Sequence, residues 1–302
     1  MQVLHLKKVP QVGASDTTSN ILGSYAKSDS TMLSQSVKIK IKSLLPRSIF
    51  EVISAVRFYL YGEKIPDSIY YVNYVSGKKG IEIGGPSELF KRSLPLYKKI
   101  ESLDGVNFSN DTIWEGKIKE GLTFNFYKNK IGRQFISDGT NLSRISDDSY
   151  DFVLSTNCLE HIANPLKALN EWKRILKDDG VLILVLPNKK NNFDHMRTTT
   201  SLEHIIKDYS EDTSEHDLTH LEEILSLHDL SMDPPAGDIE NFKKRSLDNY
   251  NNRALHHHVY DLNIMTQMVE YLGFKCILKN ETYWDYVILA SKAPKEALQK
   301  SS

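Results

Sequence analysis

The sequence predicts an α/β fold in which a mainly parallel sheet ends in an antiparallel hairpin. Three observations support this prediction. Short apolar strands alternate with helices between residues 78 and 187, a Gly-Gly turn follows the first strand at 84–85, and two β-rich segments joined by a short link lie at 274–291. Strand and helix alternation requires parallel crossovers, whereas a hairpin-length link reverses the chain. An N-terminal helical segment and a helical insertion complete the predicted architecture.

The first strand runs into the turn GIEIGGPSELF at 80–90. Glu82 lies at the strand tip, Gly84 and Gly85 can adopt backbone angles closed to other residues, and Pro86 suits a first helical position. Such a turn lets a ligand approach the main chain. On its own the motif is weak, because turns of this kind also occur for structural reasons alone.

The later strands and their crossover helix follow from apolar runs and end signals. Candidate strands are Val106–Phe108, Gln134–Ile136, Tyr150–Ser155 and Val181–Leu186. Between the last two, Asn164 can cap a helix, Pro165 suits its first turn, and Gly180 is predicted to end it. Near the C-terminus, Asp261 can cap a helix that Gly273 closes.

The final hairpin is predicted from Phe274–Leu278 and Tyr283–Ser291, joined by Lys279–Thr282. These β-rich segments would run antiparallel to each other. A parallel sheet that ends in such a hairpin belongs to a narrow class of folds.

Composition restricts the function. The 302 residues carry 38 basic and 39 acidic side chains, so no overall basic field favours nucleic acid as a partner, and a small-molecule substrate is expected. Two separated cysteines, Cys158 and Cys276, argue against a disulfide framework or a thiolate zinc site. With no secretory signal at 1–20 and no membrane-length apolar run, a cytoplasmic location is predicted.

The chain divides into five predicted parts. They are a flexible lead-in at 1–36, an N-terminal helical segment at 37–77, a cofactor-binding core at 78–187, a His-rich substrate or lid insertion at 188–260, and a closing helix and hairpin at 261–302. The basic, partly apolar stretch at 37–64 allows weak peripheral contact with a membrane surface. The alternative is an amphipathic helix packed on its own domain.

Four segments carry a resemblance to a known family. They are IEIGGPS at 81–87, FISDGTNL at 135–142, the run from SYDFVLSTN to VLP at 149–187, and the closing helix and hairpin at 261–291. Together they resemble the class I S-adenosylmethionine-dependent methyltransferases, which have a Rossmann-like seven-stranded sheet. The strings at 215–234 and 251–261 resemble an extended bacterial form associated with surface-polysaccharide and glycan modification.

The resemblance implies a set of cofactor contacts. The methionine part would face Glu82, Gly84, Gly85, Pro86 and Ser87; the adenine would meet Asp138 and Gly139; and Ser155, Thr156 and Asn157 would line the wall beneath the sulfonium. The acid for the ribose hydroxyls is not obvious, and Glu115 is slightly favoured over Asp111. Asp138 has an alternative role as the cap of a local turn.

A nicotinamide dehydrogenase is the natural competitor, because its fold also places a Gly-rich turn after the first strand. GGPSEL at 84–89 does not match GxGxxG. Hydride transfer is therefore disfavoured.

Histidine is concentrated in the insertion. Eight of the ten histidines fall between Pro187 and Asp261: His195, His204, His216, His220, His228, His256, His257 and His258. Imidazole titrates near neutrality and can act as a general base. His195, oriented by Asp194, is the first candidate base, and His161 is the second; the alternative for His161 is a helix cap near Asn164.

Other polar residues of the insertion are candidates for the acceptor site or for a metal. Arg197, His220, Arg253, His256 and His257 are predicted to bind substrate. A continuous helix would place His216, His220 and Glu223 on one face, where a divalent metal could bind. An ordinary amphipathic helix is the favoured explanation of the pattern, and no metal is predicted.

The predicted function is S-adenosylmethionine-dependent O-methylation of a sugar or glycan precursor. The alternative is a methyltransferase-fold protein without transfer activity that acts as a glycan-binding or scaffold component. No pattern in the sequence sets the oligomeric state.

Overall fold

The computed structural model describes residues 63–293. The predictions for the lead-in at 1–36, for positions 37–62 of the N-terminal helical segment and for most of the basic stretch at 37–64 lie outside the described residues. Within the described part of the chain no helix is both long enough and apolar enough to cross a membrane.

The described residues form ten strands and eight α-helices. In chain order these are α1 (Ser68–Val75), β1 (Lys79–Ile83), α2 (Glu88–Lys91), β2 (Ser102–Asn107), β3 (Asp111–Thr112), β4 (Gly116–Lys117), β5 (Gly121–Tyr127), β6 (Lys130–Ile136), β7 (Tyr150–Thr156), α3 (Pro165–Ile175), β8 (Leu176–Pro187), α4 (Leu202–Ser210), α5 (Leu221–Leu227), α6 (Ile239–Leu247), α7 (Asn249–Asn252), α8 (Leu262–Tyr271), β9 (Phe274–Glu281) and β10 (Asp285–Lys292).

The main sheet has eight strands in the order β5-β6-β2-β1-β7-β8-β10-β9. Strands β6, β2, β1, β7 and β8 pair in parallel, and β10 runs antiparallel to both β8 and β9. The predicted α/β class and its C-terminal antiparallel hairpin are confirmed. The predicted count of seven strands is one too low, because β5 adds an antiparallel strand beside β6 at the sheet edge.

The boundary between α3 and β8 differs from the prediction. Asn164 caps α3 as expected, accepting from the Lys167 amide at 3.1 Å, but α3 ends at Ile175 rather than at Gly180. The chain enters β8 at once, and the register against β7 shifts between Tyr150 and Phe152. Gly180 therefore lies in the irregular start of a strand.

Apolar side chains from helices and loops cover the two faces of the sheet. Helix α3 buries Leu166, Leu169, Trp172 and Ile175 at helical spacing, and α8 buries Met265, Met268 and Val269 on the same side. The Asp261 side chain caps α8 at the Asn263 and Ile264 amides. Each buried side chain of this size contributes roughly 1.5–3 kcal/mol.

An extended segment of the insertion, 255–258, lies along residues 160–163 at the end of β7. His257 N–H donates to the Glu160 carbonyl at 2.9 Å, and a ring nitrogen of His258 lies 3.1 Å from the Ala163 carbonyl oxygen. These contacts hold the insertion against the carboxyl end of the parallel sheet, where ligands of such sheets bind.

Candidate functional site

The turn after β1 is shaped by its two glycines. Gly84 has a φ of +85°, and its N–H donates to the Val106 carbonyl at 2.9 Å. A Cβ added to Gly85 would lie 2.2 Å from the Cδ of Glu82, so only glycine fits above that carboxyl group. Pro86 does not occupy the first helical position as predicted, because Ser87 caps α2 and the helix begins at Glu88.

Glu82 is fully buried beneath this turn. It accepts a 2.6 Å hydrogen bond from the Tyr97 hydroxyl, whose oxygen accepts from the Ser87 N–H at 2.7 Å. Burial is the main cause that raises the pKa of Glu82 to about 8, and the nearby Glu115 carboxylate acts in the same direction. The Oε1 atom of Glu82 makes no hydrogen bond. No sequence pattern pointed to Tyr97 as its partner.

The end of β2 and the small β3–β4 hairpin form the next part of the site. The Asn107 side-chain amide donates to the Gly85 carbonyl at 3.0 Å. Trp114 in the hairpin turn is 44% exposed, and its ring centroid lies 5.1 Å from that of His161. The predicted ribose residue Glu115 lies in the same turn. Neither Asn107 nor Trp114 was predicted from the sequence.

Asp138 follows β6 and has two sets of partners. One carboxylate oxygen accepts from the Thr140 amide at 2.9 Å and from its hydroxyl at 2.8 Å, and the other lies 3.0 Å from Arg253. Asp138 thus caps a local turn, the alternative considered from the sequence. The carbonyl of the adjacent Gly139 accepts from the Trp172 indole at 2.9 Å.

Arg253 joins the insertion to the core. Its guanidinium lies 3.0 Å from both Asp138 and Glu215 and 5.3 Å from the Phe108 ring centroid. Glu215 in turn accepts from the Ala163 amide at 3.0 Å. The predicted substrate residue Arg253 therefore lies at the strand ends, already paired with two carboxylates.

The end of β7 closes the site opposite the glycine turn. The Sγ of Cys158 would lie 2.9 Å from a Cβ built on Gly84, so the two segments touch. Asn157 adopts a left-handed φ of +46°, and Thr156 Oγ1 is buried without a hydrogen-bond partner. Of the predicted wall residues, Ser155 is fully buried.

Asp194 and His256 form a buried acid–imidazole pair beside this segment. His256 Nδ1 lies 2.6 Å from Asp194 Oδ2. Burial acts to lower the pKa of His256, but the Asp194 carboxylate outweighs it and raises that pKa. Although burial acts to raise the pKa of Asp194, His256 and Arg197 hold it at about 2. Each residue of the pair therefore stabilises the charged form of the other.

His161 and Glu160 complete the cluster around His256. The His161 and His256 ring centroids are 4.5 Å apart, and His161 Nδ1 lies 3.2 Å from the Leu255 carbonyl rather than capping a helix. Burial, followed by the charge of His256, lowers the pKa of His161 well below its ordinary value. Burial raises the pKa of Glu160 to about 7.

The predicted pairing of His195 with Asp194 is wrong. His195 Nε2 lies 3.1 Å from Asp229 and its side chain is 35% exposed, whereas both oxygens of Asp194 face His256 and Arg197. Adjacent residues 194 and 195 point their side chains to different neighbours because Asp194 is drawn into the buried charge network. Adjacency in the sequence therefore did not predict which imidazole pairs with Asp194.

Arg197 and His257 are buried rather than open to an acceptor. Arg197 is 2% exposed; it donates to the carbonyl oxygens of His256 and His257 and pairs with Asp194 and Glu223. A ring nitrogen of His257 lies 3.0 Å from the Asn249 side-chain amide. This placement favours a structural role in holding the 255–258 segment, not the predicted substrate role.

The continuous helix expected across 216–223 is also wrong. Helix α5 begins at Leu221, His220 is its N-terminal flanking residue, and His216 stacks on Tyr250 with ring centroids 4.0 Å apart. His220 instead faces His204 of α4, with 3.0 Å between their Nε2 atoms. The three residues 216, 220 and 223 therefore share no metal-binding face.

A polar cleft of about 1040 Å³ borders the strand ends on the α3 side. It shares Asp138 and Arg253 with the site described above, and Lys167, Glu215 and Tyr250 also line it. Ligand pockets of roughly 300–1,000 Å³ are typical of small-molecule sites. The cleft extends the site away from the glycine turn.

Residues 101–184 match the family model of a methyltransferase domain. The match begins just before β2 and ends inside β8, so it covers the ends of β2, β6 and β7 but not the glycine turn after β1. It supports the predicted class, a methyltransferase domain, over these residues. The order of the parallel strands around β1 and the closing hairpin agree with this class.

Likeness to individual proteins is more limited. A stretch of 43 residues is 58% identical to the uncharacterized protein MJ0638 of Methanocaldococcus jannaschii, covering 14% of this chain and only 19% of that protein. Among solved structures, a SAM-dependent methyltransferase from Methanosarcina mazei is 17% identical with a TM-score of 0.43, over 77% of this chain and 100% of that one. One from Aquifex aeolicus is 15% identical with a TM-score of 0.42, over 83% and 96%.

Proposed function

We propose that this chain transfers the methyl group of S-adenosylmethionine to a hydroxyl group on a sugar or glycan precursor. The observation that carries the proposal is the contact between the Gly84 turn and Cys158 at the end of β7. It brings the glycine turn and the imidazoles of His161 and His256 to the same edge of the sheet, inside a chain that contains a methyltransferase domain.

Several described residues suit the cofactor. The Gly84–Gly85 backbone is open to close approach, and Oε1 of the buried Glu82 is a polar atom without a hydrogen-bond partner that a polar group of a ligand can satisfy. Thr156 Oγ1 is a second buried polar atom in need of a partner. When bound, S-adenosylmethionine supplies a methyl group already activated by its sulfonium, so the protein has to position the acceptor and remove its proton.

The Asp194–His256 pair is the proposed proton acceptor. Asp194 holds Nδ1 of His256, which leaves Nε2 to accept the proton of the acceptor hydroxyl. Bound S-adenosylmethionine would supply the methyl group, and its sulfur would keep the electron pair of the carbon–sulfur bond that is broken. The proton then resides on His256, and Asp194 stabilises the resulting imidazolium.

A polyhydroxylated acceptor fits the surroundings of this pair. The exposed Trp114 ring beside His161 offers a flat amphipathic surface of the type that sugar rings pack on. The adjoining cleft presents carboxylate, amide and cationic groups suited to hydroxyl and phosphate recognition. A role in polysaccharide biosynthesis is consistent with these contacts and with the resemblance of 215–234 and 251–261.

The test combines calorimetry with a transfer assay that uses radiolabelled methyl donor and a panel of sugar nucleotides and free glycans. His256→Ala should lower turnover about 10²–10⁴-fold with donor affinity nearly unchanged. Because His256 is buried, Asp194→Asn is the companion variant, and it retains the shape of the site. Equal loss of donor binding and turnover in both variants would contradict the proposal.

The pH profile adds a second readout. Asp194 raises the pKa of His256, and a base must be unprotonated, so wild-type turnover should rise with pH through that raised pKa. In Asp194→Asn the charge is lost, and the rising limb should move to lower pH. A limb that stays in place would show that His256 is not the base.

One observation favours the alternative of a glycan-binding or scaffold protein without transfer activity. Asp138, the predicted adenine contact, is already engaged by Thr140 and Arg253. Calorimetry separates the two functions, because a scaffold of this kind would bind neither S-adenosylmethionine nor S-adenosylhomocysteine.

A further inference from the structure

A second histidine cluster lies in the insertion, apart from the Asp194–His256 pair. It consists of His204 and Asp208 on α4, His220 before α5, and His258 in the extended segment 255–258. Potential ligand atoms of the three histidines all lie within 4.8 Å of one another. The proposed methyl transfer makes no use of any of these four side chains.

Three ligand-to-ligand distances within this cluster match those of a tetrahedral metal site. His204 Nε2 lies 3.0 Å from His220 Nε2 and 3.2 Å from Asp208 Oδ2, and His258 Nε2 lies 3.5 Å from the same oxygen. Zinc–nitrogen bonds of about 2.0–2.1 Å place neighbouring ligand atoms of a tetrahedron about 3.3 Å apart. The nitrogen and oxygen atoms are therefore spaced as ligands of one ion would be.

The hydrogen bonding of the cluster is incomplete. Asp208 Oδ2 is buried without a hydrogen-bond partner, and so is Nδ1 of His258. The two Nε2 atoms of His204 and His220 face each other and can share only one proton. A cation satisfies the carboxylate and both facing lone pairs at once. His258 would exchange its contact with the Ala163 carbonyl for the ion.

Outer contacts already orient the ligands. Thr213 Oγ1 donates to Asp208 Oδ1 at 3.1 Å, and Glu223 lies 3.6 Å from His220 Nδ1. Carboxylates or hydroxyls that hold the far side of a ligand are typical around metal sites. The Asn164 side chain also donates to the Asp208 carbonyl at 3.0 Å, which links the cluster to the start of α3.

We propose that His204, His220, His258 and Asp208 bind one zinc-class divalent ion, which fastens three separate segments of the insertion to each other. Four protein ligands leave no open position, so the site is structural rather than catalytic. The neighbouring set Glu160, His161 and His256 offers three ligands rather than four, and His256 is the proposed proton acceptor.

The experiment uses the full chain, stripped with a chelator and then titrated with Zn²⁺ by calorimetry and with Co²⁺ by visible absorption. One equivalent should bind, with a tetrahedral Co²⁺ spectrum and a raised melting temperature. His204→Ala should weaken binding at least about 100-fold. Its matched control is His216→Ala, which alters a nearby histidine outside the cluster and should bind like wild type.

Two results would overturn the assignment. One is a wild-type chain that binds no Zn²⁺ while it remains folded by circular dichroism. The other is unchanged stoichiometry and affinity in both His204→Ala and Asp208→Asn, which would move the ion to another set of ligands. Neither result bears on methyl transfer, which the donor-binding assay tests separately.

Discussion

The strand-end core and the insertion are held together in different ways. In the core, apolar residues recur at strand and helix spacing, and the polar atoms that matter are few and close in sequence, such as Glu82 and Gly85. In the insertion, charged side chains pair across long sequence separations, as Arg253 does with Asp138 over 115 residues. Local pattern therefore organises the first region, and long-range charge pairing organises the second.

This difference affects how each region tolerates change. Arg197 is 2% exposed, contacts two carboxylates and donates to two carbonyl oxygens, so its loss would leave several buried groups without partners. Removing one partner of a buried ion pair costs much more than removing a surface ion pair. Single changes in the insertion should accordingly have larger effects than comparable changes on the core surface.

The largest expected effect comes from Arg197→Met, which retains much of the side-chain volume but removes the charge. We expect the free energy of unfolding to fall by about 3–5 kcal/mol, because Asp194 loses one of its two partners inside the protein and Glu223 loses its pairing with Arg197. Urea unfolding of wild type and variant measures this loss of unfolding free energy. Lys167→Met is the matched control, since Lys167 and Asp212 form an exposed pair worth about 1 kcal/mol or less. Equal losses of unfolding free energy in Arg197→Met and Lys167→Met would contradict the contrast between the two regions.

An intermediate effect is expected from Glu82→Gln, which tests the core. The pKa of Glu82 is raised to about 8 from an ordinary 4.5, so the folded state keeps a proton that the unfolded chain loses above pH 4.5. The contribution of this retained proton to the free energy of unfolding is fully present below pH 4.5. It declines on the order of 1 kcal/mol per pH unit up to about pH 8. The stability difference between wild type and Glu82→Gln should shrink accordingly from about pH 5 to about pH 8. A difference that does not change with pH would mean that Glu82 is ionised when folded.

The smallest effect is expected from His195→Ala. Its partner is the partly exposed Asp229, and it has no contact with the buried Asp194 network, so turnover should change by less than about threefold. The transfer assay measures this change. A loss comparable to that of His256→Ala would restore His195 as the base and place the reaction at the edge of the insertion.

Sequence reasoning succeeded where the signal is periodic or local. The Asn164 and Asp261 caps and the direction of the final hairpin were predicted because a few neighbouring residues encode them. The β5–β6 hairpin was missed because Gly121–Tyr127 was not recognised as a strand before the turn at 128–129. The prediction of a continuous helix across 216–223 was wrong because the apolar pattern did not reveal that His216 stacks on Tyr250.

The sequence by itself determined the sheet class, the glycine turn and the concentration of histidines in the insertion, because spacing along the chain encodes each of them. Only the tertiary structure decided which histidine meets which carboxylate. Asp194 selects His256 over the adjacent His195, and Asp208 joins His204 to His258, because partners for buried charges are set by three-dimensional proximity and the cost of leaving a charge unpaired.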